Sequence, residues 1–203
     1  FQASRAASAN NPGARERPAQ RHAILGRMRS VYALLAVSML GCSANPPPRW
    51  QEGGTPLVIA PARWDRPDDD SIQIHADGKV TEDGSLLFVL DRAGRVVDKD
   101  YEPVAILLPD GHVGGPDNVL LGRIGHTNAA PPGSAAAWLA LMPNGQVVRF
   151  DEEGDRHDAG VWYGCEGPQK RTCTLVSHVL WVRDYVRRSR GGVSIGVGVM
   201  MTP

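Results

Sequence analysis

The chain lacks an apolar run long enough to cross a bilayer: Val31 to Leu40 is ten residues, which as a helix span about 15 Å, half of a hydrocarbon core. Ten-residue alternating segments are also too few, which argues against a transmembrane barrel. No H-E-x-x-H pair and no glycine-rich loop opening a helix occurs, and no G-x-S-x-G elbow surrounds Ser134, Ser177 or Thr174. The motif-borne metalloprotease and nucleotide-binding classes are therefore left without support, and no cofactor or metal is expected. Aromatic residues are only 6% of the chain and cysteines number three. What is plentiful is glycine, at 23, and proline, at 16. Turns must consume many residues, which suits an all-β protein better than a helical one.

Charge is balanced only in total. Arg5, Arg15, Arg17, Arg21, Arg27 and Arg29 precede Cys42 with Glu16 as the sole acid, so the leading segment carries +5. From Ser43 onward 16 Lys and Arg face 21 Asp and Glu, a net −5. An acidic domain with scattered aromatics and no basic stripe lacks the electrostatic footprint of nucleic-acid binding.

Met28-Arg29, the apolar run to Leu40 and then Gly41-Cys42 give a charged head, a short apolar body and a small residue before a cleavage point. That order describes a signal peptide. A buried core helix would have to continue into Pro46-Pro47-Pro48, which no helix does. An Arg-rich, acid-poor leader is also the composition of a mitochondrial transit peptide. Ser38-Met39-Leu40-Gly41-Cys42 resembles the lipobox of bacterial lipoproteins, with Met39 where leucine is commonest. The resemblance implies lipidation of Cys42, which becomes the mature N-terminus, and Ser43 in place of an aspartate implies the outer membrane. Two or more acyl chains anchor stably where one is marginal. The organisation expected is an untranslated or disordered leader over 1–27, a signal peptide over 28–41, a lipid-anchored tether over 42–55 and a β-rich domain over 56–203.

With Cys42 lipidated, Cys165 and Cys173 remain as an even pair separated by seven residues. In an oxidising compartment they are expected to form a disulfide across a loop or hairpin, since the spacing is not the short one of redox and zinc motifs.

A unit recurs in the domain: Ala76-Asp77-Gly78-Lys79-Val80, Arg92-Ala93-Gly94-Arg95-Val96, Pro109-Asp110-Gly111-His112-Val113 and Pro143-Asn144-Gly145-Gln146-Val147. The glycines lie 16, 17 and 34 residues apart, so a degenerate copy is expected near Thr127-Asn128. Asp-Gly and Asn-Gly pairs suit two-residue hairpin turns, and a period of 17 fits one hairpin. Leu86 to Leu90, Val104 to Leu108 and Trp138 to Met142 are continuous apolar runs, expected as strands buried on both faces, while Arg95 to Asp98 and Val147 to Asp151 are expected at edges or on a half-solvated face. Pro56 to Ala60 opens the first strand in this reading. Thr174 to Val186 fits a helix or a long strand, and its β-branched density favours strand. A terminal hairpin would then turn at Arg188 to Gly192 and return through Val193 to Val199. The fold expected is a stack of short β-hairpins, a sandwich or small barrel, with the disulfide near the C-terminus.

Candidate chemistry is sparse. His75, His112, His126, His157 and His178 stand singly. The acidic turns Asp98 to Glu102 and Asp151 to Asp158 offer oxygen ligands for calcium without EF-hand spacing. Ser134, Thr174 and Ser177 have no catalytic frame around them. Arg183, Arg187, Arg188 and Arg190 form a basic patch suited to a solvated turn or to anionic head groups. The expected role is a membrane-anchored binding or structural module of the envelope, meeting an envelope protein or polysaccharide. The alternative is an envelope hydrolase or metal-binding protein on hairpin loops, with His112, His126, Asp110 and Asp117 as the first residues to inspect.

Overall fold

The computed structural model describes residues 44–191 apart from 68 and 152, with the backbone alone for 184–191. Its strands are β1 (Ala62–Asp65), β2 (Ile72–Ile74), β3 (Lys79–Glu82), β4 (Ser85–Leu90), β5 (Arg95–Asp98), β6 (Pro103–Leu107), β7 (His112–Gly114), β8 (Leu120–Ile124), β9 (Asn128–Ala130), β10 (Leu139–Leu141), β11 (Gln146–Phe150) and β12 (Arg156–Tyr163). Every strand pairs antiparallel with its neighbours in sequence, and β1 pairs with β12, which closes a twelve-stranded barrel. The expectation of an all-β barrel of short hairpins is met. At the closing seam Trp64 and Trp162 lie opposite each other in register and their rings stack at 5.5 Å.

Closure leaves no sheet edge, so Arg95 to Asp98 and Val147 to Asp151 are not edge segments; both are half-solvated instead. Nor is the run Leu86 to Leu90 buried on both faces. Within it Phe88 and Leu90 are buried and their neighbours only partly so, because a barrel has one interior.

The repeat glycines sit at turns, with φ of +89° at Gly78, +78° at Gly94, +87° at Gly111 and +87° at Gly145. The loops hold three residues rather than the two expected. In each, the residue before the loop accepts from the glycine N–H and donates to the residue after it, as in His75 with Gly78 at 3.0 Å and with Lys79 at 2.8 Å. This is a type I turn closed by a left-handed residue, the usual geometry of a three-residue hairpin. In three of them the middle Asp or Asn braces the turn, Asp77 Oδ1 accepting from Lys79 N, Asp110 Oδ1 from His112 N and Asn144 Oδ1 from Gln146 N, while at Gly94 Asp91 Oδ1 accepts from Ala93 N and Arg95 N instead. Each glycine carbonyl then accepts from the next hairpin: Gly78 from Leu90, Gly94 from Leu107, Gly111 from Ile124 and Gly145 from Trp162. That relay from turn to turn gives the repeat its period. The two-residue Asp-Gly turn does occur, at Asp83-Gly84, with φ of 44° and 75° joining β3 to β4. Near Thr127 the degenerate copy turns between Gly125 and Asn128, which bond at 2.8 Å.

From Ala44 the expected tether is docked rather than free. Asn45 bonds Asp117, Gly54 N donates to Ala93 O, and Thr55 N donates to Leu107 O. A Cβ on Gly114 would meet Pro48 at 3.1 Å, and one on Gly54 would meet Ile106 Cγ1 at 3.0 Å. This strap covers the outer side of β6 and β7, which is why Ala105, Ile106 and Leu107 are buried in succession. Residues 56–60 are not a strand; Leu57 N bonds Arg92 O as the strap crosses toward β1.

The largest correction lies at Thr174 to Val186, which belongs to the helix α1 (Gln169–Gly191) rather than to a strand. With β12 paired to β1, the sheet has no edge for another strand. A buried segment must then satisfy its own backbone groups, which a helix does. All nine residues from Thr172 to Leu180 are buried, so the first half of α1 is enclosed on every side. Its side chains reach surrounding backbone: Thr172 Oγ1 donates to Val58 O at 2.6 Å and Gln169 Nε2 to Ala60 O at 2.6 Å. No turn forms at Arg188 to Gly191, which are helical, and Val193 to Val199 lie outside the described residues. The Cys165–Cys173 disulfide joins the segment after β12 to the first turns of α1, across a loop that enters a helix.

Candidate functional site

Strand alternation places one polar row on the outside of the closing seam. The register aligns Tyr163 of β12 with Arg63 of β1, Arg63 with Gln73 of β2, and Gln73 with Thr81 of β3. Four residues on neighbouring strands extend over about 14 Å, the last of them, Thr81, being itself buried. The alternate positions Ala62, Trp64, Ile72, Ile74 and Val80 are buried, so the row is held from behind by packed core. Tyr163 is 58% exposed. Two adjoining open depressions share Gln73 and His75; one continues over Arg63 and Tyr163, the other over Asp77, Lys79 and Thr81.

The hydrogen bonding around this face fixes some groups and leaves others to a ligand. His75 Nε2 meets Thr81 Oγ1 at 2.9 Å, which orients the imidazole. Arg63 Nε donates to Asp65 Oδ1 at 2.5 Å, leaving the outer edge of the guanidinium in solvent. Lys79 Nζ pairs with Asp77 at 2.7 Å, and that bond holds the Asp77 carboxyl below its ordinary range. A ring face, a guanidinium, an amide and an imidazole side by side can stack on and hydrogen-bond a flat hydroxylated or amide-bearing ligand.

Residues singled out in the sequence are not assembled. Asp110 Oδ2 meets His112 Nδ1 at 2.8 Å on an exposed turn, and that bond lowers the Asp110 pKa. His126 Nε2 donates to Gly167 O at 3.1 Å, and Asp117 accepts from Asn45 at 2.9 Å. Thus His112, His126 and Asp117 each have a different partner. The acidic turns use their carboxylates internally: Asp98 Oδ1 accepts from Asp100 N and Glu102 N, while Asp151 accepts from Asp155 N and meets His157 Nε2 at 2.7 Å. Among the described residues no group of three or more His, Cys, Asp and Glu is placed to hold a metal ion. The side chains of Arg187, Arg188 and Arg190 lie outside the described residues.

Among the described residues His178 is the one buried histidine, enclosed with α1. Trp138 Nε1 donates to its Nδ1 at 3.1 Å, and its Nε2 donates to Leu121 O at 3.0 Å. Since a carbonyl only accepts, the proton resides on Nε2 and the ring is neutral. Burial pushes the pKa down to about 4, against a smaller opposing pull from the Leu121 carbonyl.

The seam row escapes sequence reasoning because Arg63, Gln73 and Tyr163 come from three strands, the last about 100 residues from the first. Only the outward position of Gln73 between Ile72 and Ile74 leaves a local trace. No protein-family model, curated protein or solved structure matches the chain.

Proposed function

We propose that the chain is an exported envelope lipoprotein, anchored through Cys42, whose barrel is a binding or structural module rather than an enzyme. The observation that carries the reading is the junction Ser38-Met39-Leu40-Gly41-Cys42 behind a short apolar run and a basic head. The Cys165–Cys173 disulfide supports it, since structural disulfides persist in oxidising compartments. A domain anchored at its N-terminus meets ligands within the envelope. The exposed row of Tyr163, Arg63 and Gln73 beside His75 suits an envelope polysaccharide, whose hydroxyl and amide groups complement it.

Cys42→Ala, expressed from the full chain, tests the anchor. Loss of acyl labelling and release from membranes are the expected results, and labelling that survives the substitution would end the reading. Retention of the full-length protein on insoluble envelope polysaccharide, compared with Tyr163→Ala, tests the ligand face. Equal retention of both proteins would remove that face from the proposal.

A further inference from the structure

The end of the β7–β8 connection and the first residue of β8 carry two large apolar side chains in solvent, Val119 at 54% and Leu120 at 41% exposure. They follow a 3-10 turn, Pro116–Asn118, in which Asp117 and Asn118 have φ of 54° and 59°. The same turn is where the strap is fastened. Asn45 N and Nδ2 donate to Asp117 Oδ1 at 2.9 and 3.1 Å, and Asp117 N returns a bond to Asn45 O at 2.9 Å. Three hydrogen bonds therefore hold Asn45 beside the loop that exposes Val119 and Leu120.

Two residues, Ser43 and Ala44, lie between Cys42 and Asn45, so three Cα–Cα steps join them. Even fully extended they reach about 11 Å. Acyl chains on Cys42 place that residue at the level of the lipid head groups. Asn45, with Asp117 bonded to it, then lies within about 11 Å of the acylated residue, a distance comparable to the roughly 5 to 10 Å over which amphipathic surfaces settle into the head-group and acyl boundary. The docked strap thus removes the freedom that a flexible tether would have given the barrel. It brings one loop, and that loop's two exposed apolar residues, to the bilayer.

Resting on the lipoprotein reading, we propose that Val119 and Leu120 form a membrane-contact site that seats the barrel directly on the lipid surface, β7–β8 end first. The same end of the meander carries Asp69, Asp70, Asp83 and Asp100 in its other connections. Those acids disfavour an anionic surface, so the contact is apolar and its partner is a zwitterionic lipid layer. The repeat glycines and their turns, among them Asn144, occupy the opposite end and face away from the membrane.

The test uses the full-length acylated protein in vesicles of phosphatidylethanolamine and phosphatidylcholine. Nitroxide labels are placed at Val119→Cys, Leu120→Cys and, as the distal control, Asn144→Cys; acylation of each preparation is read by mass at Cys42. The expected result is a ratio of oxygen to nickel-chelate accessibility severalfold higher at 119 and 120 than at 144. Acylated protein whose labels at 119 and 120 are as open to the chelate as the label at 144 would overturn this inference and leave the anchor standing. Absence of acyl mass at Cys42 would overturn the lipoprotein reading, and the membrane contact with it.

Discussion

Trp138 donates its indole N–H to Nδ1 of His178, 40 residues further along the chain, and thereby fixes which nitrogen of a buried imidazole carries the proton. Protonating Nδ1 would set one N–H against another inside the core. The folded state therefore refuses a proton that the unfolded chain accepts, with a pKa of about 4 against 6.5.

A depressed folded-state pKa stabilises the protein fully above about pH 6.5, and the contribution is lost as pH falls toward 4. The difference corresponds to roughly 3 kcal/mol. Urea midpoints taken at pH 7 and pH 4.5 should differ accordingly, and His178→Gln should flatten that part of the profile while lowering stability at pH 7. The carboxyls of Asp110 and Asp151, lowered by their hydrogen bonds to His112 and His157, have their effect below pH 4. An unchanged slope between pH 6.5 and 4 in the variant would assign the dependence to other groups.

Reduction of Cys165–Cys173 should destabilise the barrel by about 2 to 3 kcal/mol, since the bridge closes a short loop. Both cysteines are buried, at 4% and 0% exposure, so alkylation of native protein should be negligible before reduction. Thermal melts of Cys165→Ser/Cys173→Ser against the parent give the magnitude. Two thiols alkylated at once in unreduced, folded protein would show the bridge absent.

Much of this barrel was legible because its turns are local. Gly78, Gly94, Gly111 and Gly145 mark left-handed residues that the sequence places correctly, and alternation around Gln73 reports an outer face. What escaped depends on closure. The length of Thr172 to Leu180 gives no clue that the sheet has no free edge, so β-branched residues such as Val176 and Val179 argue for a strand until β1 is seen to meet β12. The proline triplet misleads in the same way: Pro47 and Pro48 suit a flexible tether by composition, yet Pro48 packs over Gly114. For the candidate face, no local pattern unites Tyr163 with Arg63, because the register that joins them exists only in the closed sheet.

Gly145 combines two costs that Gly133 separates. Its φ of +87° disfavours any side chain, and a Cβ there would also stand 2.3 Å from Trp162 O, the carbonyl of its closing partner. Gly133 has a similar φ of +75° with nothing within 4 Å. Gly133→Ala should therefore cost about 1 kcal/mol from backbone strain alone, and Gly145→Ala that amount plus roughly 1 to 3 kcal/mol for the displaced strand. Chemical denaturation of both variants provides the comparison, and equal losses would show that the turn relay carries no strain of its own.

Tyr101 occupies the turn position that glycine fills at the repeat turns. Tyr101 N donates to Asp98 O at 3.1 Å and Asp98 N to Glu102 O at 3.0 Å, the bonding pattern of the three-residue loops. Its φ of 63° is left-handed, and the ring is 72% exposed, so packing returns little for the strain. A non-glycine residue in this region costs about 1 to 2 kcal/mol. Glycine removes that strain but adds freedom to the unfolded chain, worth up to about 1 kcal/mol in the other direction. Asparagine tolerates the conformation while keeping a side chain, so Tyr101→Asn should raise stability by about 1 kcal/mol and Tyr101→Gly by less. Thermal melts of the two variants and the parent decide the order, and a loss of stability in Tyr101→Asn would show that the ring contributes more to the fold than its exposure implies.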